Sequence, residues 1–107
     1  MDLLSKYYPV SFNIKNSKLI AIKNIASCVF TQYRNDSCHI IAIVTHPDFR
    51  RNGYATKLIK LLQDKFENIS ANVLFDESTN IKFWKLLNFN ISEINIEKKY
   101  YVLIWKK

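Results

Sequence analysis

A single glycine marks the segment of this chain whose residue types favour anion binding. Gly53 lies in the run Arg50-Arg51-Asn52-Gly53-Tyr54-Ala55 and is the only glycine among 107 residues, whereas average usage would give roughly seven. Glycine is needed where the backbone adopts a positive φ or approaches another group closely. Because two arginines stand beside it, the segment combines a close backbone approach with fixed positive charge.

The patterns on either side place Gly53 at a junction between a strand and a helix. Residues 40–44 form an apolar run typical of a buried strand, and residues 54–66 carry apolar side chains at helical spacing. Free N–H groups at the start of a helix bind phosphate groups. The junction therefore predicts a site for a nucleotide-like cofactor with several negative charges.

The composition indicates one folded domain over residues 1–107 with a preference for anionic partners. The chain is 49% hydrophobic and 14% aromatic, which is sufficient for a packed core, and its net charge is +7. Cys28 and Cys38 lie in apolar strand-like segments, so we expect buried free thiols in a reducing compartment. Neither a secretory signal nor an apolar run of membrane-spanning length is present, which predicts a cytoplasmic protein without membrane contact.

The periodicity predicts an α+β fold with the element order ββββ-α-β-α-ββ. A βαβ crossover joins predicted strands four and five, so these two strands should run parallel within a mostly antiparallel sheet, with the helices packed on it. Ligands are expected at the carboxyl ends of the parallel pair. The predicted strands are residues 10–14, 19–22, 27–33, 38–45, 72–75, 90–96 and 100–105, and the predicted helices are residues 54–66 and 78–87.

Residues 43–56 resemble the acetyl-coenzyme A motif of the GNAT superfamily of N-acyltransferases. The signature R/Q-x-x-G-x-G/A is matched by Arg50, Gly53 and Ala55, and Pro47 stands where the family often has a proline. Residues 82–89 are similar to a second family segment of the FYxKxGF type. The resemblance covers residues 38–90 and implies the GNAT arrangement of the sheet.

This resemblance implies acetyl-CoA as co-substrate and names the residues that would bind it. The backbone of the strand before the loop would pair with pantetheine, and the amide of Ile43 would act as oxyanion donor. The pyrophosphate would lie on the loop and on the first turn of the helix. The expected cofactor-binding residues are Ile43, Val44, Thr45, Arg50, Arg51, Asn52, Gly53, Tyr54, Ala55 and Thr56.

The catalytic acid and base are less clearly indicated than the cofactor loop. Some family members have a glutamate eleven residues before the first signature position, where this chain has His39, a candidate general base or a hydrogen-bonded strand histidine. Asp76 and Glu77 are further candidates. Trp84 replaces the tyrosine proposed as general acid in the family; it can donate a hydrogen bond but not a proton, and a core aromatic is the simpler interpretation.

Two further departures affect the helix end and the acceptor site. Asn88 stands where the family has a glycine, and asparagine is the next most suitable residue for a left-handed helix end. Residues 15–18 leave no room for the two helices that typical members have between their first strands. We therefore expect an acceptor site that is open or completed by a partner.

Three functions are compatible with these features. The first is an N-acetyltransferase in which a primary amine, from a protein lysine, an N-terminus or a small molecule, attacks acetyl-CoA directly in a ternary complex. The second is a CoA-binding or regulatory protein on the same scaffold with little or no activity. The third is a small basic nucleic-acid-binding module, although nucleic acid is not the expected partner. Metal-ligand spacing is lacking, so no metal is expected, and the exposed sheet edges are compatible with a homodimer.

Overall fold

One mixed sheet, two α-helices and two short 3₁₀ segments make up the part of the chain that the structure describes. The computed structural model describes residues 17–107, except for the side chains of residues 77–79. The predicted strand at residues 10–14 and the N-terminal tyrosines lie outside these residues. In chain order the elements are β1 Ser17–Ile22, β2 Ala26–Arg34, β3 Ser37–Thr45, α1 Tyr54–Lys65, β4 Asn68–Leu74, α2 Ile81–Leu86, β5 Asn90–Asn95 and β6 Tyr100–Lys106.

The strand order confirms the predicted mixed sheet. Across residues 17–107 the order is β1-β2-β3-β4-β6-β5. The β3–β4 pair is parallel and every other described pair is antiparallel. These two strands are the predicted strands four and five, and α1 connects them, as expected for a βαβ unit.

The core lies between α1 and one face of the sheet. Leu58, Ile59 and Leu62 of α1 are fully buried, since their spacing places them on one side of the helix. They pack with sheet residues that include Cys28 and Cys38, both of them free thiols as predicted. Burial raises the pKa of Cys28 to about 12 and that of Cys38 to about 11, so both thiols are protonated at neutral pH.

Two elements differ from the predicted boundaries. β4 begins at Asn68 rather than at residue 72, because Ile69 and Ala71 face the core while polar residues alternate with them, and the prediction followed only the apolar run. The second helix is α-helical only over Ile81–Leu86, after a 3₁₀ segment at Phe75–Asn80. That segment is rich in Asp, Ser, Thr and Asn, whose side chains compete with helical backbone hydrogen bonds.

Candidate functional site

The parallel strands separate halfway along their length and open a cleft. Backbone pairing runs from Ser37 opposite Asn68 to Ile40 opposite Ala71 and then stops. On its other side β3 has a bulge, since Val29 pairs with Ala42 and Phe30 with Ile40, which leaves Ile41 as the extra residue. The carboxyl halves of β3 and β4 therefore diverge. A cavity of about 340 Å³ fills the gap and is lined by residues from both strands.

A larger cavity of about 710 Å³ lies between the end of β3, the following loop and both helices. Its lining includes every predicted cofactor-binding residue except Asn52. Ile43, Asn80 and Trp84 line both this cavity and the smaller one. The two cavities thus form one continuous surface from the gap between the strands to the start of α1.

The loop that precedes α1 has two residues in the left-handed region. Gly53 has φ 78° and is the N-cap of α1, and Arg51 has φ 66°. Glycine adopts this conformation without steric cost, whereas it is strained for a side chain with a Cβ. The Gly53 position provides no side-chain hydrogen bond to the first turn of α1. The first turn therefore presents N–H donors, with the positive end of the helix dipole, to the larger cavity.

Two polar side chains organise this loop, and one of them connects it to the end of β3. Arg50 donates from Nε to the carbonyl oxygen of Thr45 at 3.3 Å. Asn52 donates from Nδ2 to the carbonyl oxygens of Phe49 and Arg50, at 3.2 and 3.3 Å. Asn52 therefore organises the loop backbone and does not line the cavity, whereas the exposed Arg51 does line it.

Trp84 is a core aromatic that also lines the cleft. It is 5% exposed and packs edge-to-face on Phe83 and Phe89, with ring centroids 5.3 and 4.9 Å away. Its indole is thereby fixed beside both cavities. Asn88 has φ 70°, as expected for a left-handed helix end.

His39 lies in the paired part of β3 and not among the residues that line the two cavities. Its Nδ1 is 2.7 Å from the hydroxyl oxygen of Ser70 on β4. Burial lowers the pKa of the imidazole below its usual value near 6.5, so His39 is neutral at pH 7. Asp76 is exposed, and His46 accepts a hydrogen bond from the amide of Asp48 in the loop.

The sequence did not indicate three of the aromatic and polar residues in the larger cavity. Phe49 contacts Tyr54 edge-to-face with ring centroids 6.1 Å apart and forms part of the wall. Asn80, at the end of the 3₁₀ segment, and Phe83 of α2 also belong to this wall. These residues are recognised only from the folded structure, which brings the loop and α2 together, because no sequence pattern connects residues 49 and 83. The described His, Cys, Asp and Glu side chains form no cluster of three that could hold a metal ion.

Comparison with known sequences identifies the family. The sequence model of the acetyltransferase (GNAT) family matches residues 6–89. The chain belongs to this family. Membership is consistent with the parallel pair that diverges beside a glycine-containing loop. No curated protein matches the chain. Among the helices of the described residues, none is long and apolar enough to cross a membrane.

Solved structures share the GNAT fold with this chain at low sequence identity. An IAA acetyltransferase from Bacillus cereus is 12% identical with a TM-score of 0.81, over 98% of this chain and 90% of its own. Naa50 of Arabidopsis thaliana, in complex with the bisubstrate analogue CoA-Ac-MVNAL, is 20% identical with a TM-score of 0.75, over 98% of this chain and 88% of its own. A GNAT acetyltransferase from Elizabethkingia anophelis with acetyl-CoA bound is 13% identical with a TM-score of 0.72, over 88% of this chain and 78% of its own.

Proposed function

We propose that the protein is an N-acetyltransferase that transfers the acetyl group of acetyl-CoA to a primary amine by direct attack in a ternary complex. The observation that carries this proposal is the continuous surface from the divergent strands to the uncapped start of α1. In the reaction an N–C bond forms, the C–S bond of the thioester breaks, the amine loses a proton to a base, and CoA leaves as the thiol.

The lining of the larger cavity fits the phosphates and the pantetheine arm of CoA. Anionic groups would bind the first turn of α1 and the exposed Arg51, because backbone donors, helix dipole and guanidinium charge act together there. The backbone of residues 43–45 lies at the edge of the gap, where an extended arm would add to the strand. The Ile43 amide would stabilise the developing oxyanion.

His39 remains the proposed general base, and the leaving thiolate would take its proton from another group or from water. The imidazole is neutral at pH 7, since burial lowers its pKa, and a neutral imidazole accepts a proton from an ammonium group directly or through one water molecule. Trp84 contributes packing and an N–H donor beside the cleft rather than a proton. Positioning of the two substrates would supply most of the rate enhancement.

Calorimetric titration of acetyl-CoA into the wild type, Gly53→Val and Gly53→Asn tests the cofactor site. A Cβ at this position would meet nothing within 4 Å, so any defect reflects the backbone conformation or the bound ligand. Asparagine tolerates the left-handed region and valine does not. We expect micromolar binding by the wild type, weaker binding by Gly53→Asn and none by Gly53→Val, with circular dichroism as the control for folding.

Two outcomes would redirect the function. No binding by the folded wild type would contradict the acetyltransferase proposal and favour a nucleic-acid-binding module, for which steep salt dependence of oligonucleotide binding is the diagnostic. Binding without acetylation of any amine in a panel of peptides, lysine derivatives and small amines would favour a CoA-binding protein on the GNAT scaffold. Replacement of the usual tyrosine by Trp84 is the feature that motivates this alternative.

A further inference from the structure

A row of polar side chains crosses the sheet on the face opposite α1. Ser17, Thr31, His39 and Ser70 are in register on β1, β2, β3 and β4. Their neighbours along β3 and β4 are buried in the core beneath α1: Cys38, Ile40, Ile69 and Ala71. Since successive side chains of a strand point to opposite faces, His39 and Ser70 belong to the face away from the helix.

One hydrogen bond within this row joins His39 to Ser70. The distance of 2.7 Å between Nδ1 and Oγ spans 31 residues of sequence, and both residues are half-buried. The other ring nitrogen, Nε2, has no hydrogen-bond partner among the described residues. A hydrogen bond at one ring nitrogen fixes the orientation of an imidazole, and whether the hydroxyl accepts or donates decides which nitrogen carries the proton.

This pair lies at the closed end of the cleft. The last parallel pair is Ile40 opposite Ala71, one residue beyond His39 and Ser70. Ile41 and Asn72, two residues further along β3 and β4, line the cavity in the gap. The imidazole is therefore placed next to the point where the strands separate and where the acetyl group and the amine would meet in the function proposed above.

We propose that Ser70 is a positioning residue that holds the proton of His39 on Nδ1 and leaves the lone pair on Nε2 to accept the proton of the amine. The Ser70 oxygen accepts the hydrogen bond from Nδ1–H. In the opposite arrangement the hydroxyl would donate to Nδ1, and Nε2 would carry the proton and be unable to act as a base. The proposal rests on His39 being the base of the acetyltransferase.

The surroundings keep the imidazole neutral, which this role requires. Burial lowers the pKa of His39. Its register partners Thr31 and Ser70 are uncharged hydroxyl residues. Ionisable residues near Ser70 include Tyr33, Arg34 and Lys106, which line a separate cavity of about 260 Å³ together with Ser70.

Nitrogen NMR of the full chain tests the proton position without any need for activity. The chain has only two histidines, so a ¹⁵N-histidine label gives two rings, and His46→Gln assigns them. We expect the Nδ1–H form of His39 in the wild type, a mixture of both forms in Ser70→Ala, and recovery in Ser70→Thr. Ser27→Ala is the matched control, because the Ser27 oxygen is buried without a partner and its loss should leave His39 unchanged.

Kinetics then connects the proton position to catalysis. Ser70→Ala should lower kcat roughly tenfold, which is a small part of what a general base contributes. The Kd for acetyl-CoA should be unchanged in this variant. Ser70→Thr should restore the rate. A wild-type proton on Nε2, an unchanged ring in Ser70→Ala, or an acetyl group found on Ser70 by mass spectrometry would overturn the proposal. If the wild type binds acetyl-CoA without turnover, the acetyltransferase proposal fails, while the NMR arm still decides the role of Ser70.

Discussion

The arginine pair before Gly53 shows that adjacent residues of the same type perform different tasks. Both arginines are exposed and line the larger cavity, but Arg50 also bonds back to the carbonyl of Thr45. Arg51 is also in the left-handed region, which directs its backbone differently from that of its neighbour. Arg50 therefore stabilises the loop, and Arg51 supplies charge to the proposed phosphate site.

Lysine substitutions separate these two tasks, because lysine keeps the charge but lacks the Nε–H donor. Arg50→Lys should weaken acetyl-CoA binding by about fivefold, equivalent to about 1 kcal/mol for one hydrogen bond. Arg51→Lys should change the affinity by less than about twofold, since a lysine still attracts phosphate. Calorimetry on both variants measures the difference, and equal losses would contradict the assigned roles.

The buried imidazole of His39 makes stability depend on pH. Its pKa is lowered in the folded chain, so the unfolded chain binds the proton first as the pH falls. The contribution to stability is complete above the unfolded value near 6.5 and is lost as the pH falls from there through the folded pKa. When the pH is lowered from 7.5 to 5.5, the urea midpoint of unfolding should therefore fall more for the wild type than for His39→Gln. A parallel decline in both proteins would contradict the prediction.

At the scale of elements, α2 is short and depends on its carboxyl end. The amide of Phe89 donates to the carbonyl oxygen of Trp84, and the amide of Asn88 donates to the carbonyl oxygen of Lys85. With Asn88 in the left-handed region, this is the Schellman arrangement. It turns the chain so that Phe89 enters the core, where it is 1% exposed, and it fixes Trp84 beside the cleft.

Substitutions of Asn88 test this helix end. Asn88→Ala should cost about 1 kcal/mol, because alanine is strained in the left-handed region, and should lower the Tm by about 4–8 °C in a domain of this size. Asn88→Gly should leave the Tm unchanged or raise it. Differential scanning calorimetry gives these values, with the exposed helical position Lys82→Ala as a neutral reference. A stable Asn88→Ala protein would show that the end of α2 does not depend on this conformation.

The whole molecule carries a net charge of +7, which should assist binding of a polyanion. In the proposed site, the interaction with acetyl-CoA would combine the long-range field with local contacts at Arg51 and the start of α1. Salt screens the long-range field strongly, since the Debye length is about 10 Å at 0.1 M and about 3 Å at 1 M. The affinity should therefore have a part that depends on salt and a part that does not.

Titrations at increasing NaCl concentration measure this balance. Acetyl-CoA binding should weaken progressively with salt, whereas pantetheine, which lacks the phosphates, should bind weakly and with little salt dependence. Arg51→Gln should reduce the salt dependence for acetyl-CoA. Identical salt profiles for acetyl-CoA and pantetheine would show that phosphate recognition is not electrostatic.

The sequence by itself determined the family, the strand and helix order of the described residues, and the loop that is the proposed cofactor site. These features depend on local patterns: alternation in strands, helical spacing in α1, and one glycine at a position that requires a positive φ. The left-handed conformation of Asn88 was predictable for the same reason.

Only the tertiary structure decided which distant residues meet. The contact between His39 and Ser70 depends on the register of a parallel pair, which no local spacing encodes, because α1 separates the two strands in sequence. The divergence of β3 from β4 beyond Ile40 likewise coincides with a bulge against β2. Phe49, Asn80 and Phe83 join the cavity wall through packing of elements. Long-range register and packing are collective properties of the folded chain, so they become visible only once the sheet is assembled.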